Sequence, residues 1–173
     1  MAELKVNISY PKQVQEKLNK YIIELEKAQS NAINEISAKI QDKLLENMIK
    51  YNIDSVEILG SISVNTSNEG VEIKVGAKHA IFIEFGTGIV GSENPHPNPA
   101  RANWIYGNGG WWYPTTPQKQ SRYPYQPTAI INNQLYAYTK GQKSKPFLYD
   151  TWLWATRSIN NIFRKHIRRI KID

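Results

Sequence analysis

The chain has 173 residues, no cysteine and a formal net charge of +7. That length suits one domain with a single core, and the absence of thiols excludes both a disulfide framework and thiolate metal sites. No run of about 18 apolar residues occurs, so no membrane-spanning helix is expected, and Met1-Ala2-Glu3-Leu4-Lys5-Val6-Asn7-Ile8 lacks the basic-then-apolar pattern of a secretion leader, which favours folding inside the cell.

After Pro11, the helical positions Val14, Leu18, Ile22, Leu25, Ala28 or Gln29, Ala32, Ile33, Ile36, Ile40, Leu44 and Met48 recur in steps of three and four. The spacing marks one helical face, and neither Pro nor Gly interrupts it between Lys12 and Asp54. A helix of about 38 residues is predicted, about 57 Å long. That exceeds the diameter of a small domain, so part of the stripe is expected to pack on another subunit or another protein. A coiled-coil partner is a weaker reading, because the spacing drifts from a strict heptad.

The period then shortens to two. Val56, Ile58, Ile62 and Val64 alternate with polar residues, Asn68-Glu69-Gly70 marks a turn, and Val71, Ile73 and Val75 alternate again. Ala80 to Phe85 is more continuously apolar and is read as a third strand. The predicted arrangement is a three-stranded antiparallel meander with the long helix across one face.

From Gly86 to Lys140 the composition changes. This stretch holds seven of the nine prolines, six of the ten glycines and nine aromatic residues. A long loop insertion within a single domain spanning 1–173 is predicted, too aromatic for a disordered linker. Ala129-Ile130-Ile131 and Leu135-Tyr136-Ala137-Tyr138 flank Asn132-Asn133-Gln134, and asparagine tolerates the positive φ of a hairpin turn. Trp104, Trp111, Trp112, Tyr113, Tyr123 and Tyr125 are candidate partner-interface residues, since Trp and Tyr are enriched at the buried centres of protein interfaces. Packing within the chain, or stacking on sugars or bases, are the other readings. Only Arg101, Lys119, Arg122 and Lys140 are basic here, which is poor support for a strand-binding groove.

After Lys145-Pro146 the helical period returns at Leu148, Trp152, Ala155, Ile159, Ile162, Phe163, Ile167 and Ile170. Proline suits a helix start, and basic residues in the last turns complement the helix dipole. Six basic residues follow Thr151 (Arg157, Arg164, Lys165, Arg168, Arg169 and Lys171) against the one acid Asp173. Arg157, Arg164, Lys165, Arg168 and Arg169 are the candidates for contact with DNA or with an acidic partner, a solvated face being the plainer alternative. The fold class expected is α+β: a long N-terminal helix packed on a small antiparallel sheet, a long aromatic loop insertion and a basic C-terminal helix.

Residues able to carry chemistry are sparse. His79, His96 and His166 have no metal-ligand spacing. Glu84, in an apolar segment, could serve as a general base only with companions that the neighbouring sequence does not supply; a structural carboxylate accepting hydrogen bonds fits better. Gly86-Thr87-Gly88 is too short for a dinucleotide fingerprint. No catalytic, metal or cofactor site is expected.

The order of elements, with Ile83-Glu84-Phe85-Gly86-Thr87 before a variable excursion and Pro146-Phe147-Leu148 opening the last helix, resembles the tail-completion, or head-tail joining, family of long-tailed bacteriophages. The resemblance covers essentially the whole chain outside the excursion. It implies a non-enzymatic virion neck protein, made in the host cytoplasm, that joins the tail to the head connector as a subunit of a homo-oligomeric ring or collar. It also implies neighbours such as the connector, tail terminator and tail tube, with non-specific DNA contact in the channel. Glu84, Phe85, Gly86, Thr87, Pro146, Phe147 and Leu148 are then structural motif residues. Two departures from the pattern stand out: the excursion is long and rich in Trp and Pro, and Tyr149-Asp150 follows where a second proline is common. A tail terminator ring, a DNA-binding protein using the basic helix, and a carbohydrate-binding protein using Trp104, Trp111 and Trp112 are the rival readings.

Overall fold

The computed structural model describes residues 11–98, 109–122 and 124–171. Helix α1 runs unbroken over Lys12–Lys50, 39 residues, as the uninterrupted spacing of threes and fours requires. Asn52 ends it in the left-handed region at φ 50°. The N–H of Ile53 donates to Met48 O at 2.9 Å and that of Asn52 to Ile49 O at 3.0 Å, the paired bonds of a Schellman cap, with Met48 and Ile53 both buried.

The chain divides into two compact units. The first comprises α1 up to Lys43, Val64–Ile73, and the chain from Leu153 onward. Its core joins Ala32, Ile36 and Ile40 of α1 to Ile162 of helix α6 (Phe147–Ile167). Val71 and Ile73 pack against that cluster from strand β2 (Gly70–Val75), which pairs with β1 (Ile62–Ser67) in a two-stranded sheet. The long helix therefore lies on a small antiparallel hairpin, whose period-two burial follows from the pleat.

The second unit comprises Leu44–Ser63 and Lys74–Trp152. Leu44, Met48, Ile58 and Phe147 are its most deeply buried large side chains. It contains α2 (Val56–Ser61), α3 (Ala80–Phe85), α4 (Gly88–Glu93), β3 (Trp111–Pro114), α5 (Pro117–Gln120), β4 (Thr128–Ile131), β5 (Gln134–Thr139) and β6 (Gly141–Gln142). Strands β3, β5 and β4 form an antiparallel sheet with β5 in the middle. The β4–β5 hairpin is the one expected: Ile131 pairs with Gln134, and Asn132 and Asn133 take φ of 49° and 61°, as a two-residue type I′ turn demands.

Two predicted strands are helices. Val56–Ser61 forms α2 because Ser55 accepts the N–H of Ile58 at 3.3 Å and caps the turn, so the first strand starts only at Ile62. Ala80–Phe85 forms α3, in which Ala80 and Glu84, four apart, are the buried residues. A short apolar run fits either period, and the buried pair at i, i+4 decides for the helix. The predicted meander is thus a two-stranded hairpin, and the insertion carries a sheet of its own.

Candidate functional site

The two segments singled out in sequence meet in space. Glu84, 4% exposed, sits on the last turn of α3. Its Oε2 accepts the N–H of Leu148 and its Oε1 that of Tyr149, each at 2.9 Å. Both donors belong to the first turn of α6, where backbone N–H groups have no acceptor within the helix. A carboxylate there supplies that acceptor and also complements the positive end of the helix dipole. Pro146, one residue upstream, has no N–H to satisfy, and its carbonyl accepts from Asp150 N at 2.9 Å.

His96, 3% exposed, completes the arrangement with Nε2 at 3.1 Å from Glu84 Oε1. The N–H of Asn98 donates to His96 Nδ1 at 2.9 Å, so the proton resides on Nε2 and is donated to the carboxylate. The rings of Phe85 and Tyr149 flank the imidazole at centroid distances of 4.5 and 5.1 Å. Burial pushes the Glu84 carboxyl above its ordinary range, against the pull of the Leu148 and Tyr149 N–H groups and of His96. Both oxygens are held by donors, so the raised basicity is not offered to a substrate.

Backbone bonds close the rest of the joint. The Ser144 hydroxyl donates to Glu84 O at 2.7 Å, and Lys145 N to Ile83 O at 2.9 Å. Gln142 N donates to Thr87 Oγ1 at 3.2 Å, and Thr87 and Gly88 form antiparallel bridges with Gln142 and Gly141. Gly86 is required twice over: its φ is 77°, and a Cβ would stand 2.6 Å from Ser144 N. Phe147 is fully buried, while Phe85 and Leu148 are half-buried. The sequence reading missed His96; its place between two prolines, in Pro95-His96-Pro97, was the available signal of a fixed backbone.

The other candidates are spread over the fold. On β3, Trp111 and Tyr113 share one side of the sheet, and Trp112 takes the other, its ring 5.3 Å from that of Tyr138. Tyr125 is 97% exposed. Trp104 and Tyr123 lie outside the described residues. Lys165 is committed within its own unit, donating to both oxygens of Glu35 at 2.8 Å, and His166 Nε2 meets the same carboxylate at 2.8 Å. Arg157, Arg164, Arg168 and Arg169 are exposed and form no ion pair among the described residues. Exposed apolar side chains continue the α1 stripe at Val14, Leu18 and Ile22.

One grouping has the residue types of a hydrolytic triad. Ser55 Oγ is 3.3 Å from His79 Nε2, and His79 Nδ1 is 3.5 Å from Glu57 Oε1. The serine oxygen is engaged in capping α2, and Glu57 is largely solvent-exposed, so neither the nucleophile nor the orienting acid is held for catalysis. Among the described residues no three His, Asp or Glu side chains converge as metal ligands, and no helix is long and apolar enough to cross a membrane. No protein-family model matches the chain, and no curated protein or solved structure matches it either.

Proposed function

We propose that the chain is a structural neck protein of a long-tailed bacteriophage or related tail particle, a ring or collar subunit that completes the tail and helps join it to the head connector. The observation that carries this reading is the Glu84–Leu148–Tyr149 joint: the two segments on which the resemblance rests form one hydrogen-bonded unit, with the chemistry of an architectural clamp. Such a clamp holds the ends of the Gly86–Lys140 excursion in fixed relation, so an aromatic surface can be presented to a neighbour without being part of any reaction.

The first turns of α1 supply what an assembly subunit needs. Val14 and Leu18 project one apolar stripe from a stretch of helix, residues 12–20, in which every residue is exposed, and exposed Ile22 continues it. A stripe of that kind is covered in a working assembly, and a closed ring covers it on every copy. Arg157, Arg164, Arg168 and Arg169 leave a basic surface for DNA in the channel or for an acidic neighbouring ring.

The test is assembly. The purified chain, alone and mixed with connector and tail-tube proteins of the same particle, is followed by light scattering and negative-stain microscopy. Rings, or chains bound at one end of tail tubes, are expected. A chain that stays monomeric and ignores both partners sinks the proposal, and capping of the tube without binding to the connector points to the tail terminator instead.

A further inference from the structure

Within the second unit, an open cleft of about 830 Å³ lies beside β3. Phe82, Trp111 and Tyr113 provide its aromatic surface, and Gln126, Thr139 and Gln142 its polar groups. Gly88 shapes it: a Cβ there would stand 2.9 Å from the Trp111 ring, so the missing side chain lets that ring lie against the backbone. Among the described residues no Lys, Arg, Asp or Glu lines the cleft, and the ring nitrogens of lining His79 already face Ser55 and Glu57.

We propose that this cleft binds a neutral carbohydrate. The volume falls in the range of small-molecule sites, about 300–1,000 Å³. Sugars present C–H faces that stack on aromatic rings and hydroxyls that both donate and accept, and the cleft offers both halves of that match. Gln126 Oε1 accepts from Tyr113 at 2.7 Å and Gln142 Nε2 donates to Phe82 O at 3.0 Å, while the opposite end of each amide is unengaged among the described residues. One amide therefore has donors to offer and the other an acceptor, and the Trp111 indole adds a donor.

Competing ligand classes fit less well. A nucleotide strand brings phosphates, and among the described residues no cation lines the cleft to meet them. An extended peptide gains affinity by adding to a strand edge. Thr115 N bonds Leu135 O, and by alternation Trp111 and Tyr113 also turn their backbone groups toward β5. Only Trp112 and Pro114 then face outward on β3, and Pro114 has no N–H, so the edge is blunted. The inference goes beyond the assembly reading and does not depend on it.

The full chain is titrated with maltotetraose, cellotetraose and chitotetraose, and binding is read by tryptophan fluorescence and saturation-transfer NMR. At least one should bind, with Trp111→Ala and Gln126→Ala each weakening it about tenfold or more and Trp112→Ala, on the opposite side of the sheet, leaving it unchanged. Melting temperatures identify a variant that has lost its fold; Gln126→Ala, which leaves the Trp111 ring on Gly88, decides if Trp111→Ala does. The proposal is overturned if none of the three sugars binds at about 10 mM, if binding survives Gln126→Ala, or if only a proline-rich peptide or an oligothymidylate occupies the cleft.

Discussion

Glu84 Oε2 accepts the backbone N–H of Leu148 at 2.9 Å across a sequence separation of 64 residues. One carboxylate at the end of α3 thus caps the start of α6, and the Tyr149 N–H and the His96 imidazole share its other oxygen. Every atom in this joint is placed to hold two chain segments together.

Replacing Glu84 by Ala leaves two helix N–H groups and a buried imidazole without their acceptor, which costs about 2–4 kcal/mol. Glu84→Gln should recover part of that through its carbonyl. Seated at the Oε1 position, that carbonyl keeps the bonds from Tyr149 N and His96 Nε2, so the ring retains its proton on Nε2 and only the Leu148 N–H meets the amide NH2. Chemical denaturation measures the energies, and nitrogen NMR of His96 reads the tautomer. A changed tautomer in the Gln variant would contradict the assignment.

Gly86→Ala forces an L side chain into a positive-φ position against Ser144 N. The backbone strain alone is about 1–2 kcal/mol, and the overlap adds to it. A loss of about 2–4 kcal/mol is expected, a melting temperature lower by roughly 5–15 °C. Gly60→Ala, inside α2 where a Cβ meets nothing within 4 Å, is the control and should not destabilise the fold.

Glu35 makes one contribution to the first unit's stability that depends on acid pH. Hydrogen bonds from Lys165, then His166, with a smaller one from Lys39, hold its carboxyl at about 2, against an ordinary 4.5. A lowered folded value means that the stabilisation is fully present above pH 4.5 and is lost as the pH falls from there to about 2. The gap in urea midpoint between the wild type and Glu35→Gln should therefore close as the pH falls below 4.5. A gap that persists unchanged down to about pH 2 contradicts the pairing.

Val14→Asp with Leu18→Asp should leave the folded monomer's stability within about 0.5 kcal/mol, because both side chains are exposed within the chain. The same pair should abolish ring formation, since each copy would carry charge into an apolar contact. Light scattering and thermal melting separate the two effects.

Replacing Arg157, Arg164, Arg168 and Arg169 together by Gln should weaken any binding to duplex DNA and flatten its salt dependence by about 3–4 logarithmic units per decade of salt. Gel shifts across a salt series measure the slope. An unchanged slope removes DNA from the role of this surface.

The sequence by itself determined the parts of the fold that depend on local periodicity. The spacing of α1, the period-two hairpin around Asn68-Glu69-Gly70, the Asn132-Asn133 turn and the helix after Pro146 are all set by interactions between residues a few positions apart, and such patterns are legible without a partner. Tertiary structure decided what local pattern leaves open. Ala80–Phe85 is six residues long, too short for its period to show, and it is helical because Glu84 turns inward to meet an amide dozens of residues away. His96 was invisible as a partner for the same reason: proximity to Glu84 is made by the fold, not by spacing. Of the five basic candidates in the C-terminal segment, Lys165 is shown to be paired only by the packed structure, since Glu35, its partner, lies 130 residues away along the chain.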